Sequence, residues 1–154
     1  MTTVNIGIDN REVVATALIR FLANTYALQL KTQNFHWNVT GKDFHDLHVL
    51  FEEQYTDMQA AIDELAERVK ALGYYCPGSF ADFAKLAEIP EASAQLSAQD
   101  MVSQLHSDHQ TLSRMGREVV KLADKEDDLV TSGMVAARME THEKTAWMLR
   151  SVIS

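Results

Sequence analysis

The chain has 154 residues with two prolines, six glycines, one cysteine and a formal charge of −8, which is enough for one domain with a sizeable core and too little for two. The acidic balance argues against a general attraction to nucleic acid or anionic membrane, since no segment concentrates positive charge. The apolar runs are short and broken by charge, and the start lacks the layout of a signal peptide, so neither a spanning helix nor a leader is expected. The lone Cys76 cannot form an internal disulfide and favours a reducing compartment, the cytoplasm.

Residues 1–9 read as a short N-terminal tail ahead of a single domain. Asp9 with Glu12 three residues later resembles an N-cap with its capping-box partner, starting a helix at about Asn10 or Arg11. Val14, Leu18, Phe21, Leu28 and Phe35 keep helical spacing up to Trp37, and Asn38 to Lys42, with Gly41, reads as a turn. A second long helix is predicted from about Asp43 to Leu72, stopped by Gly73, with Pro77 and Gly78 preventing a restart. Ser79 to Ile89 has the length of one short helix packing Phe80, Phe83 and Leu86, an ordered loop being the competing assignment.

Ser97 with Asp100 forms a second N-cap pattern, and the helix it opens carries Met101, Leu105, Leu112, Met115, Val119 and Leu122, with Asp108 at the one polar step. A charged break, Asp124 to Asp128, precedes a last helix whose expected core stripe is Val130, Met134, Ala137, Met148 and Val152. Four long amphipathic helices, a short first turn and a long second connection describe an all-α four-helix bundle with one crossover and a short extra helix in that connection.

The second helix carries the chemistry. With His48 set at zero on a helical wheel, Glu52, Asp63 and Glu67 fall at about 40°, 60° and 100°, one stripe, whereas Phe51, Tyr55, Met58, Ile62, Leu65, Val69 and Leu72 centre near 300°. The ligand stripe is therefore not the core stripe. Glu52 and Asp63 are separated by about 16 Å of helix rise, too far to share one metal ion. The helix thus offers two half-sites, His48 with Glu52 and Asp63 with Glu67, each at the spacing that makes neighbours on a helix. A second copy packed antiparallel across a two-fold axis would join the unlike halves into two equivalent composite sites.

With the two helices antiparallel, His36 is expected at a similar height above the turn, where it could complete the first half-site. Two imidazoles and three carboxylates suit a first-row ion such as ferrous iron, manganese or zinc rather than magnesium or calcium, without distinguishing among the three. A di-iron centre inside the bundle is disfavoured, because no glutamate has a histidine three residues later. The competing account is a solvated acidic face with surface ion pairs. His106 and His109, with no carboxylate cluster beside them, read as surface polar residues, and His142 and His45 carry still less signal.

Phe35-His36-Trp37-Asn38-Val39 with Gly41, Leu47-His48, Phe51-Glu52-Glu53 with Tyr55, Asp63 with Ala66-Glu67-Arg68, and Leu72-Gly73 together resemble the signature of the Dps family, the mini-ferritins. The resemblance covers nearly the whole chain. It implies a ferritin-like bundle assembled into a hollow shell of twelve subunits, with ferrous iron oxidised at two-fold interfaces and stored inside as ferric mineral. By matching position, His36, His48 and Glu52 would come from one subunit and Asp63 and Glu67 from its neighbour; these five are the expected catalytic and metal-binding residues. Family members often have aspartate where this chain has Glu52.

The resemblance further implies hydrogen peroxide, or more slowly dioxygen, as oxidant, and protection against oxidative damage. Trp37 is a candidate for electron transfer, with interface packing as the alternative. Asp124, Asp127 and Asp128 are candidates for a cation-attracting pore, a charged helix terminus being the competing account. Members that bind DNA through their own charge generally use a lysine-rich terminal extension, which this sequence lacks, so DNA binding is expected to be weak or absent. The alternative function is a DNA-coating stress protein of the same fold with little iron oxidation.

Overall fold

The computed structural model describes residues 3–93 and 95–154; the first two residues of the expected tail lie outside the described residues. Among these the chain forms five helices and no strands: α1 Arg11–Asn38, α2 Phe44–Ala71, α3 Phe80–Leu86, α4 Ala98–Lys125 and α5 Leu129–Ile153. The four long helices form two hairpins, α1 on α2 and α4 on α5, joined mainly through α1 against α4. α3 lies within the long connection and leans on α1, so the expected all-α four-helix bundle with an extra short helix is observed.

The helix ends follow from local chemistry. Ser97 and Ser79 accept the amides of Asp100 and Asp82 as true N-caps. The expected cap at Asp9 does not form: Asn10 takes the N-cap position without a side-chain bond, and Arg11 instead donates from Nε to the Ile8 carbonyl at 3.0 Å. α2 ends with the amides of Gly73 and Tyr74 bonding back to the carbonyls of Lys70 and Val69, an arrangement that places Gly73 at φ +95°. α4 ends the same way, with Asp127 rather than glycine at φ +59°.

The core is built as expected from Val14, Leu18, Phe21, Leu28 and Phe35 of α1, Phe51, Met58, Leu65 and Val69 of α2, and Met101, Leu105, Leu112 and Val119 of α4. α1 is, by length and composition, apolar enough to cross a bilayer, contrary to the expectation that no such stretch exists; about half of it is buried within the bundle. Its buried Thr25 and Thr32 return their hydroxyls to the carbonyls four residues back, at 2.8 and 2.7 Å, and so enter the core without orphaned polar atoms. Asn24 accepts the amides of Glu88 and Ile89 and thereby pins the end of the long connection to α1.

Two expectations about packing are corrected. Phe80 of α3 is 77% exposed, and of the three only Phe83, tilted against the Tyr26 ring, and Leu86 are drawn inward. On α5 the buried face is Thr131, Val135, His142, Ala146 and Leu149, whereas Val130, Ala137, Met148 and Val152 are exposed and Met134 is half-buried. A hydrophobic pattern selects the wrong stripe here, because Thr131 and His142 have internal hydrogen-bond partners that permit burial while apolar residues stay on the outer face.

Candidate metal centre

The turn between α1 and α2 holds the chemistry. Gly41, at φ +113°, lets five residues reverse the chain, so the last turn of α1 meets the second turn of α2 and brings His36 beside His48. Their rings stack with centroids 3.8 Å apart and planes 13° from parallel. Phe44 lies along the His48 ring, and Tyr55 meets His36 edge-on.

The two imidazoles lock each other. His36 Nδ1 lies 2.8 Å from the His48 carbonyl oxygen, and His48 Nδ1 lies 2.8 Å from the His36 carbonyl oxygen. A carbonyl can only accept, so each Nδ1 carries the hydrogen and donates, and each Nε2 keeps its lone pair. One of these carbonyls belongs to the last turn of α1, where helix geometry leaves no amide partner. The turn is thus tied by side chains whose remaining nitrogens have the tautomer a metal requires.

The three carboxylates lie on the exposed face of α2. Glu52 is one turn beyond His48, while Asp63 and Glu67 sit three and four turns further along. Among the described residues no group of three or more histidine, cysteine or acidic side chains comes close enough to hold a metal. One chain therefore brings His36 and His48 together and leaves Asp63 and Glu67 in a separate place, as the helix rise requires. Trp37, adjacent to His36, is 62% exposed.

The three aspartates after α4 have different surroundings. Asp124 and Asp127 are exposed, but Asp128 is fully buried: it receives Arg68 Nη2 at 2.7 Å, the Thr131 amide at 3.0 Å and the Thr131 hydroxyl at 2.6 Å. Every one of these contacts is structural, tying α2 to the α4–α5 turn, and none leaves Asp128 facing a solvent channel within the chain.

Two features escaped the sequence. His109 and His142, expected at the surface or left unassigned, are buried between α4 and α5 with their Nδ1 atoms 2.9 Å apart and both Nε2 atoms without a partner. Burial pushes His109 down to about 3, with the charges of Arg138 and His106 acting in the same direction; burial likewise holds His142 well below the usual histidine range, with His109 and Arg138 adding to it. The second feature is a concentration of positive charge, formed where α4 and α5 bring Arg114, Arg117 and Arg150 to one groove. The three are scattered in sequence, and only the pairing of the helices joins them.

Residues 15–154 match the family model described as a ferritin-like domain. The chain is similar to an uncharacterised low-temperature-induced protein of Nostoc, at 41% identity covering 99% of this chain and 88% of the relative. It is similar at 38% identity to a DNA protection during starvation protein of Brevibacillus brevis, over 93% of this chain and 96% of that one. Among solved structures, a Dps protein of Vibrio cholerae, described as a member of a broad superfamily of ferritin-like diiron-carboxylate proteins, superposes with a TM-score of 0.94 at 35% identity, over 100% of this chain and 98% of the other.

Proposed function

Because the chain belongs to the Dps family of ferritin-like proteins, we propose that it is a ferroxidase and iron-storage protein that oxidises ferrous iron at sites shared between two subunits and protects against oxidative damage. The observation that carries this reading is the reciprocal lock of His36 and His48, which uses both Nδ1 atoms and, among the described residues, leaves both Nε2 lone pairs without a hydrogen bond.

In this reading ferrous iron is the substrate. His36, His48 and Glu52 of one subunit and Asp63 and Glu67 of a two-fold neighbour hold it, and the proposed assembly is a hollow shell of twelve subunits. The imidazoles suit the ferrous ion, and the carboxylates favour the ferric product, being hard anionic oxygen donors. With hydrogen peroxide as oxidant, two ferrous ions give one electron each, the O–O bond breaks, and two protons are taken up as two waters form. Each ferric ion then takes two waters and releases three protons as it becomes oxyhydroxide mineral. Dioxygen would be a slower oxidant. Other first-row divalent ions would compete for the same ligands.

Among the described residues of one chain no group of three or more histidine, cysteine or acidic side chains comes together, and the same helix cannot offer both halves to one ion, which supports an intersubunit site. Trp37, exposed beside His36, is proposed to carry electrons near the site, and Asp124 and Asp127 remain exposed candidates for a cation path. A cytoplasmic location accords with Cys76, a single half-buried thiol with no partner for a disulfide.

The test is direct. Ferrous iron is loaded anaerobically, peroxide is added, and ferric absorbance is followed for the wild type and for a His36→Ala, His48→Ala double variant. The double variant is expected to lose most of the initial rate; equal rates in both would sink the assignment. The alternative, a DNA-coating protein with little iron oxidation, predicts no fast ferric signal in either protein together with a clear gel shift at physiological salt.

A further inference from the structure

The groove between α4 and α5 has a volume of about 310 Å³, and Arg114, Arg117 and Arg150 line it together with His106, Glu143 and Trp147. The three guanidinium groups are exposed, and among the described residues none has a carboxylate within ion-pair distance. In a chain with eight more acidic than basic residues, three neighbouring arginines without acidic partners form a local field opposite in sign to that of the whole molecule. Their planar forks of N–H donors match the oxygens of a tetrahedral anion.

Two further groups narrow the anion. His106 Nδ1 lies 2.9 Å from the Ala146 carbonyl oxygen, so it donates there and leaves Nε2 as an acceptor. Glu143 accepts from the Ser113 hydroxyl on Oε1 at 3.1 Å, and among the described residues its other oxygen has no hydrogen-bond partner. A site of cations alone would take any oxyanion. A site that also presents two acceptors accommodates best an oxyanion that still carries a hydroxyl, because a bare anion oxygen facing Glu143 is repelled. Inorganic phosphate keeps a P–OH at neutral pH; sulfate and the phosphodiester of nucleic acid have none, and a phosphomonoester, with its second pKa near 6, has mostly shed its own.

We propose that this groove is a binding site for inorganic phosphate, in which Arg114, Arg117 and Arg150 supply the charge and donors while Glu143 accepts from a P–OH group and, in the dihydrogen form, His106 Nε2 accepts from the second. Nothing in this site overlaps the His36–His48 centre, which lies on the other helical hairpin.

The experiment uses the intact, iron-free protein in chloride buffer, titrated calorimetrically with phosphate and, separately, with sulfate. Saturable binding of phosphate is expected, at least about ten-fold tighter than sulfate. An R114Q/R117Q/R150Q variant, checked for unchanged circular dichroism and assembly size, is expected to weaken phosphate binding by about ten-fold or more, since each charge-assisted contact is lost. Glu143→Gln replaces the carboxylate with an amide able to donate, and is expected to bring the phosphate-to-sulfate preference close to unity. Absence of saturable phosphate binding, equal affinity for sulfate in the wild type, or displacement of phosphate by duplex DNA would each overturn the proposal, the last by making the groove a nucleic-acid contact.

Discussion

Replacing both His109 and His142 by leucine tests how burial governs the acid sensitivity of this fold. In the folded chain both are held neutral, His109 titrating only at about 3 against an ordinary value of 6.5. A histidine with a depressed value contributes stability that is fully present above the unfolded value and is lost as pH falls from there toward the folded value. The window is therefore about 6.5 down to about 3. At pH 4.5 the solution lies two units below the unfolded value, and at about 1.4 kcal/mol per unit His109 alone costs about 3 kcal/mol relative to pH 7.5. His142 adds a loss of the same sign.

Removing both partners of the hydrogen bond together leaves no orphan, and the two Nε2 atoms have no partners to lose. The double leucine variant is thus expected within about 1 kcal/mol of the wild type at pH 7.5. Urea unfolding followed by circular dichroism, at one fixed chain concentration because assembly contributes to stability, is compared at pH 7.5 and 4.5. Titrating carboxylates affect both proteins alike, so the quantity of interest is the difference between their pH slopes. The variant's loss on acidification should be smaller than that of the wild type by about 3 kcal/mol or more. Identical slopes would refute the reasoning and show that the pair does not stay neutral.

Three further outcomes are expected. Mixing chains carrying His36→Ala and His48→Ala with chains carrying Asp63→Asn and Glu67→Gln, then reassembling them, should restore ferroxidase activity to about a quarter of the wild-type level; random pairing leaves that share of two-fold sites with both halves intact, and no recovery would argue against composite sites. Asp128→Ala should cost about 3–5 kcal/mol in thermal or urea unfolding, because it strands the nearly buried Arg68 and removes the α5 cap, whereas the exposed Asp124→Ala should change stability by less than about 0.5 kcal/mol. Gly73→Ala should lose about 1–2 kcal/mol by the same measurement: the residue sits at φ +95°, and the added carbon would approach Thr3 Cγ2 to 2.6 Å.

How much was legible differs by element. The helices from Arg11 to Asn38 and from Phe44 to Ala71 and their core stripes follow from apolar spacing, because in α1, α2 and α4 the buried positions are filled mainly by large aliphatic and aromatic residues. α5 defeats the same rule. Its buried face contains Thr131, His142 and Ala146, and Trp147 and Met148 point outward, so hydrophobicity no longer marks the inside. The capping expectation held at Ser97 and failed at Asp9, where an arginine–carbonyl bond closes the start of the helix instead.

The candidate metal centre divides in the same manner. Sequence alone determined that the candidate ligands of α2, His48 with Glu52 and Asp63 with Glu67, lie too far apart to serve one ion within one chain, since 1.5 Å of rise per residue is a property of any α-helix and needs no tertiary contact. It also determined the turn that puts His36 and His48 at one level. Only the tertiary structure decided that these two rings stack and fix each other's tautomers, because each Nδ1 bonds to a carbonyl on the facing helix. It alone decided that Asp128 is a buried anchor for Arg68, that His109 and His142 share one hydrogen bond inside the bundle, and that three separate arginines meet in one groove. Periodicity records which residues share a face of one helix; which faces then meet depends on how the two hairpins pack.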